Sequence, residues 1–250
     1  MNDLPWITHF NSHTDPRLGV LYDGSNISAN DGDVCISFVT YNLLKNIEKP
    51  YCIDIGADEC WWAIFCCEQN PATQVDAFEP GPIPESLQNT LLTKYPNIRL
   101  HNKAVSNTPG FLFLSDQGAC SNSRTNEGTK VECITLDSFL KKKSKVDLIK
   151  IDTEGHELQI LENLSKYSEK INAIIFEFSV HWYANELYDA IDKTYCVLSE
   201  LVKFFPYIYI LSRRGPPILE KLDIDVLLPF IRYCYIEQYQ CDLLIIKKEL

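Results

Sequence analysis

No CxxC pair occurs among the ten cysteines of this 250-residue chain, and Cys66 and Cys67 are adjacent. Zinc sites need spaced ligands and disulfide frameworks need an oxidising compartment, so the thiols read as reduced, mostly buried, and cytoplasmic. No apolar run approaches the roughly 20 residues that cross a bilayer. The first residues also lack the basic-then-apolar pattern of a signal peptide. Membrane insertion is therefore not expected. Basic residues are scarce: 23 Lys and Arg against 34 Asp and Glu leave a formal net charge of -11. Polymeric nucleic acid needs a cationic footprint to displace its counterions, and is excluded as the expected partner. The one lysine-dense stretch, Lys141-Lys142-Lys143-Ser144-Lys145, reads as a solvated helix end whose cations meet the negative pole of the dipole. Internal repeats and low-complexity tracts are also missing.

What is present suits one α/β domain with an N-terminal extension, since 46% of the residues are hydrophobic and 12% aromatic. The organising stretch is Tyr51 to Pro80. A short apolar strand, Tyr51-Cys52-Ile53-Asp54-Ile55, ends at Gly56. A helix-like run from Trp61 to Gln69 follows, then a second strand, Gln74 to Phe78, closed by Glu79-Pro80. Strand, turn, helix and strand within about 30 residues form the unit of a parallel sheet.

Residues 1–32 are polar and broken by proline and glycine, and read as an arm or lid. A helix with Ile36, Val39, Leu43, Leu44 and Ile47 at helical spacing follows, with Asp33 placed to cap it. The expected boundaries are an arm and helix over 1–50, then a Rossmann-like domain over 51–250. Further on, Glu85 to Tyr95 reads as a helix and Ile98 to Val105 as a third strand. Gly110 to Leu114 and Lys130 to Ile134 read as an inserted β-hairpin on the rim, around the small polar run Gly118 to Ser123. Val146 to Ile151, Ile171 to Phe178, Tyr207 to Leu211 and Cys241 to Lys247 are strand-like, and Asn185 to Val202 reads as a long helix. Alternating strands and helices predict a doubly wound, mostly parallel sheet.

Ligands of open α/β sheets bind at the carboxyl ends of the strands. Those ends here carry Asp54, Glu79, Asp152 and, one turn further, His181. Each also has a plainer role. Asp54 and Asp152 can cap the next helix, Glu79 can be a turn residue, and Glu154 and Glu157 can complement a helix dipole. Glu177 lies inside an apolar strand, where a carboxylate is costly unless paired. The glycines discriminate between cofactors. A dinucleotide fold wants GxGxxG to approach a pyrophosphate, whereas only Gly56 is present, followed by Ala57-Asp58-Glu59-Cys60. Acids at that mouth suit a cofactor with a positive centre, such as S-adenosylmethionine. The Tyr41-to-Lys45 spacing of short-chain dehydrogenases precedes the first strand, the wrong side of a cofactor fold. It is more simply helix periodicity.

Taken in order, several strings resemble the FkbM-type S-adenosylmethionine-dependent methyltransferases. They are Asp54-Ile55-Gly56-Ala57-Asp58, Ala77-Phe78-Glu79-Pro80, Asn102-Lys103-Ala104-Val105-Ser106, Thr135-Leu136-Asp137, Ile149 to Glu157, and Ile175-Phe176-Glu177. The resemblance implies a class I methyltransferase fold and methyl transfer to a hydroxyl, often of a sugar or glycosylated product. It implies that Glu79 holds the cofactor ribose, with Pro80 beside it. Asp54, Gly56, Ala57 and Asp58 form the floor under the methionine part, and Asn102, Lys103 and Ala104 lie near the adenine. Asp152 is the expected base or acceptor-orienting group, with His181 second and Glu154 beside them. A divalent cation on Asp152 and neighbouring carboxylates is compatible but unspecified. Asp58 and Cys60 stand where the family has asparagine and a second glycine. A Cβ at position 60 is expected to crowd the methionine part or to drive φ out of the positive region. A non-catalytic cofactor-binding module and an NAD-dependent oxidoreductase remain as alternatives. The expected partner is a small-molecule or glycan acceptor.

Overall fold

The computed structural model describes residues 34–114, 128–184, 187–212 and 219–250. The arm, its Asp33 cap and the polar run Gly118 to Ser123 lie outside the described residues. Helix α1 spans Val34–Leu44, strand β1 Tyr51–Ile55, helix α2 Trp61–Gln69 and strand β2 Gln74–Phe78. β1 and β2 pair in parallel from Tyr51 opposite Gln74 to Ile55 opposite Phe78, with α2 as the crossover. Helix α3 (Glu85–Lys94) leads to β3 (Ile98–His101), which extends the same sheet beyond β2.

The expected third strand breaks in two. Asn102 points its side-chain amide at the carbonyls of Glu79 (2.9 Å), Pro80 (3.3 Å) and Gly81 (2.8 Å). The chain turns there, and β4 (Ala104–Ser106) leaves for a second sheet with β5 (Gly110–Leu114) and β6 (Thr129–Thr135). β5 and β6 form the expected antiparallel pair, with β4 added parallel to β6.

Helix α4 (Leu136–Leu140) precedes β7 (Val146–Ile151) and α5 (Glu157–Leu161). A 3-10 turn then leads to β8 (Ile171–Phe178). The expected long helix is α7 (Leu187–Leu201), and a short helix α6 (Val180–Tyr183) precedes it. They are followed by β9 (Tyr207–Ser212), β10 (Leu219–Leu222), α8 (Leu227–Ile236) and β11 (Cys241–Ile246). The main sheet runs β10-β9-β11-β8-β7-β1-β2-β3. β11 inserts antiparallel between β8 and β9. Without the edge strand β10, this is the strand order and reversed last strand of a class I methyltransferase.

Strand alternation divides the core between the two faces. Ile53, Ile55, Ile149, Ile151, Ile174 and Phe176 meet α7 and α8. Cys52, Leu148, Ala173, Ile175 and Leu244 meet α1 and α2, where Trp62 donates from Nε1 to Thr40 Oγ1 at 2.9 Å. None of the nine described cysteines is in a disulfide, and all but Cys196 are buried. The lysine run differs from expectation. Lys143 is drawn inward to Asp76 Oδ2 at 3.0 Å, where Tyr51 also donates, while His101 donates to Oδ1. Among the described residues no helix is long and apolar enough to cross a membrane.

Candidate functional site

On the α1/α2 face, the side chains change from apolar to ionic toward the carboxyl ends of the parallel strands. Cys52 gives way to Asp54, Leu148 to Lys150 and Asp152, and Ile175 to Glu177. Asp242 of the reversed β11 lies opposite Glu177. Lys150 stands opposite Asp54 across the β1–β7 pair and reaches Asp152 Oδ2 at 3.1 Å. Burial would lower its pKa, but Asp152, Asp54 and Asp242 outweigh burial and hold the ammonium charged. Asp54 is fully buried, and no side chain donates a hydrogen bond to either carboxylate oxygen. Burial pushes its carboxyl up to about 7, Lys150 pulls it down, and Asp152 and Glu79 push it further up.

The β1–α2 turn brings β1 against β7. A Cβ on Gly56, whose φ is +76°, would lie 1.7 Å from the Asp152 carbonyl oxygen, so only glycine allows this approach. The amides of Gly56 and Ala57 both donate to the Phe78 carbonyl, at 2.9 and 3.0 Å. Asp58 and Cys60 have φ of 45° and 59°. Of the two expected effects of the Cys60 Cβ, loss of positive φ does not occur: Cys60 keeps the left-handed conformation, at a cost of roughly 1–2 kcal/mol. Its buried thiol is pushed up to about 12 by burial and by the charges of Asp54, Glu79 and Asp58. Glu79 accepts the Asp58 amide at 2.9 Å on Oε2 and the Gly81 amide at 2.7 Å on Oε1. Two amides thus fix this carboxylate at the end of β2, and Asn102 fixes the loop behind it. Lys103 pairs with Glu132 of β6 at 2.6 Å, and Ala104 is buried at the start of β4.

After β7 the Asp152 amide donates to the Ile55 carbonyl at 2.9 Å. A tight turn then carries Glu154 at φ +53° and Gly155 at +103°. Ligand oxygens of Asp152, Glu154 and Glu177 lie within 4.8 Å of one another. That spacing can hold an oxygen-ligated divalent cation or bracket a hydroxyl group. Ser179 donates to Glu177 Oε1 at 3.1 Å, and the Tyr183 hydroxyl donates to the Glu177 carbonyl at 2.8 Å. His181 sits on α6 with its ring edge-on to Trp182 at 5.5 Å, and is not a member of the carboxylate group. Glu157 does more than complement a helix dipole. Fully buried, it accepts hydrogen bonds from Thr153 and Gly155. The ionic residues that sequence reasoning passed over, Lys150 and Asp242, share one signal. Each is a buried charge within a mostly apolar strand.

The family described as the methyltransferase FkbM domain matches residues 29–203. The chain belongs to the FkbM methyltransferase family. Among solved structures, the FkbM methyltransferase from Methylobacillus flagellatus KT is 17% identical with a TM-score of 0.49; the match covers 79% of this chain and 44% of that one. This FkbM chain therefore spans less than half the length of that protein. The precorrin-6y C5,15-methyltransferase from Geobacter metallireducens GS-15 is 14% identical with a TM-score of 0.42, over 85% and 88% of the two chains. No curated protein sequence matches. FkbM membership implies S-adenosylmethionine as the methyl donor. The residues present fit that group. To a cationic ligand Asp54 offers a buried carboxylate that accepts no side-chain hydrogen bond. Exposed Asp58 and Glu59 at the mouth of α2 disfavour a pyrophosphate.

Proposed function

We propose that this chain is an S-adenosylmethionine-dependent O-methyltransferase acting on a hydroxyl of a sugar, glycan or glycosylated small molecule. The observation that carries the reading is the convergence of Asp152, Glu154 and Glu177 at the end of β7 and β8, beside the β1–α2 turn. When bound, S-adenosylmethionine supplies an electrophilic methyl group on a positively charged sulfur. Glu79, held by two amides, grips the ribose diol. Asp54 and the Gly56–Asp58 turn form the floor beneath the methionine part, and Asn102 shapes the loop beside the adenine. Asp152 accepts or orients the acceptor hydroxyl, its carboxylate steadied by Lys150, and Glu154 completes the acid group with His181 one turn beyond. A sugar hydroxyl is a poor nucleophile, so a positioned base contributes about 10²–10⁴-fold. Alignment of acceptor oxygen, methyl carbon and sulfur contributes further.

A non-catalytic module would follow from a collapsed glycine turn. The left-handed backbone retained at Asp58 and Cys60 supports an open pocket instead. The packing of α1 on α2 and the sheet supports the described part of the 1–50 extension, from Val34 onward, as laid against a 51–250 methyltransferase unit. The test is calorimetric titration with S-adenosylhomocysteine, with NAD as control, followed by methyl transfer to a panel of sugar acceptors. Glu79→Ala is expected to weaken cofactor binding about tenfold or more, the loss of charge-assisted bonds. Asp152→Ala is expected to keep the affinity and lose turnover. Unchanged affinity and rate in both variants would refute the site.

A further inference from the structure

The turn after β7 is strained and yet sharply placed. Glu154 has φ +53°, a conformation that L side chains hold only when their surroundings impose it. Two contacts supply that constraint. Within the turn, Glu157 Oε1 accepts the Thr153 amide at 2.7 Å and the Thr153 hydroxyl at 2.8 Å, and Oε2 accepts the Gly155 amide at 3.1 Å. Outside it, His156 Nε2 lies 2.6 Å from Ser106 Oγ at the end of β4, a residue 50 positions away and 4% exposed. One position on, Asn107 donates to Glu162 Oε2 at 2.8 Å, at the other end of α5. The second sheet thus grips the turn and its helix at both ends.

We propose that Glu157 and the Ser106–His156 hydrogen bond are positioning residues, which hold the 152–157 turn in the one shape that brings Asp152, Glu154 and Glu177 together. The catalytic consequence rests on the methyltransferase reading above; the conformational one does not. A buried carboxylate is expensive on a short helix whose neighbours Leu158, Ile160 and Leu161 are apolar. An aliphatic residue would pack there at lower cost, but it could not collect the amides of a left-handed turn. The inserted sheet accordingly acts as a brace for the acceptor side of the crevice as well as a rim.

The test compares the full chain with its Glu157→Gln variant, and with Ser106→Ala and Thr153→Val as milder changes. Glutamine keeps the shape of Glu157 but turns an NH2 group toward amide donors. S-adenosylhomocysteine affinity should stay within about threefold and the KM for the donor should not move, while kcat should fall by about 10²-fold as the reacting groups lose alignment. Hydrogen exchange of the Thr153 and Gly155 amides should accelerate by about tenfold, with the β7 amides still protected. Ser106→Ala and Thr153→Val should move kcat and exchange in the same direction by less, and they decide the matter if Glu157→Gln does not fold. A folded Glu157→Gln protein that keeps kcat and turn protection would overturn the proposal. So would uniformly faster exchange across β7, which marks a stability role alone. If the wild-type chain transfers methyl to no acceptor, the functional reading fails and exchange alone decides: acceleration confined to the turn upholds the device, and unchanged exchange overturns it.

Discussion

Raising the pH from about 6 to about 8 should tighten S-adenosylmethionine binding by nearly tenfold through Asp54 alone. This carboxyl is fully buried, and burial outweighs Lys150 to hold it at about 7, against 3.8 when unperturbed. A carboxyl of that strength is roughly one-tenth ionised at pH 6, half at pH 7 and nine-tenths at pH 8. If the ionised form receives the cationic donor, the apparent Kd scales inversely with that fraction, about 1.4 kcal/mol over the range. Without ligand the sign reverses. The folded chain holds this proton to higher pH than the unfolded chain does, so the stabilisation from Asp54 is complete below about pH 4 and declines as pH rises toward 7. The assay is calorimetry at several pH values, each in two buffers of different ionisation heat, which also counts about half a proton released at pH 7. Because the donor's own α-amino group titrates near pH 8, the quantity to plot is the ratio of wild-type to Asp54→Asn affinity. A ratio that stays flat from pH 6 to 8 would show that Asp54 does not face the cationic part of the cofactor.

Two further predictions concern the frame around the site. Burial alone would raise the Asp76 carboxyl, but donors on His101, Tyr51 and Lys143 overcome it and hold the group at about 2. From 3.8 this is about 2 kcal/mol of stability, present at neutral pH and lost as pH falls from near 4 through 2. Asp76→Asn should remove that acid sensitivity and lower the neutral-pH denaturant midpoint, and equal midpoints at pH 7 would contradict it. At the cofactor turn, Cys60→Gly should change stability by less than about 1 kcal/mol, because relief at φ +59° is offset by greater freedom when unfolded. Cys60→Val, β-branched in the same conformation, should cost about 2 kcal/mol or more and weaken S-adenosylhomocysteine binding. Thermal melts with and without ligand separate the two; similar behaviour of Gly and Val would mean that the backbone relaxes there.

Much of this molecule was legible in its residues. Apolar runs closed by Gly56, Pro80 and the polar turn after Ile151 give β1, β2 and β7 their observed limits, because alternation and breaker residues act within a few positions. The strings around Asp54, Glu79 and Asp152 to Glu157 were enough to point to FkbM methyltransferases. Elements stabilised from afar were harder to read. Helix α8 carries Pro229, which looks like a breaker but lies in the first turn, where a missing amide costs nothing. The single strand expected from Ile98 to Val105 splits because the Asn102 side chain meets a loop more than 20 positions earlier.

By itself, then, the sequence determined most of the strands and helices around the site, and which acids stand at the strand ends, since both follow from contacts between near neighbours. Only the tertiary structure decided that β11 would insert between β8 and β9 and that Lys150, Glu177 and Asp242 would share a face with Asp54 and Asp152. It alone also revealed that Ser106 would brace His156 from 50 residues away. Strand order and register are set by burial across the whole sheet, and local periodicity carries no record of which strand lies next to which.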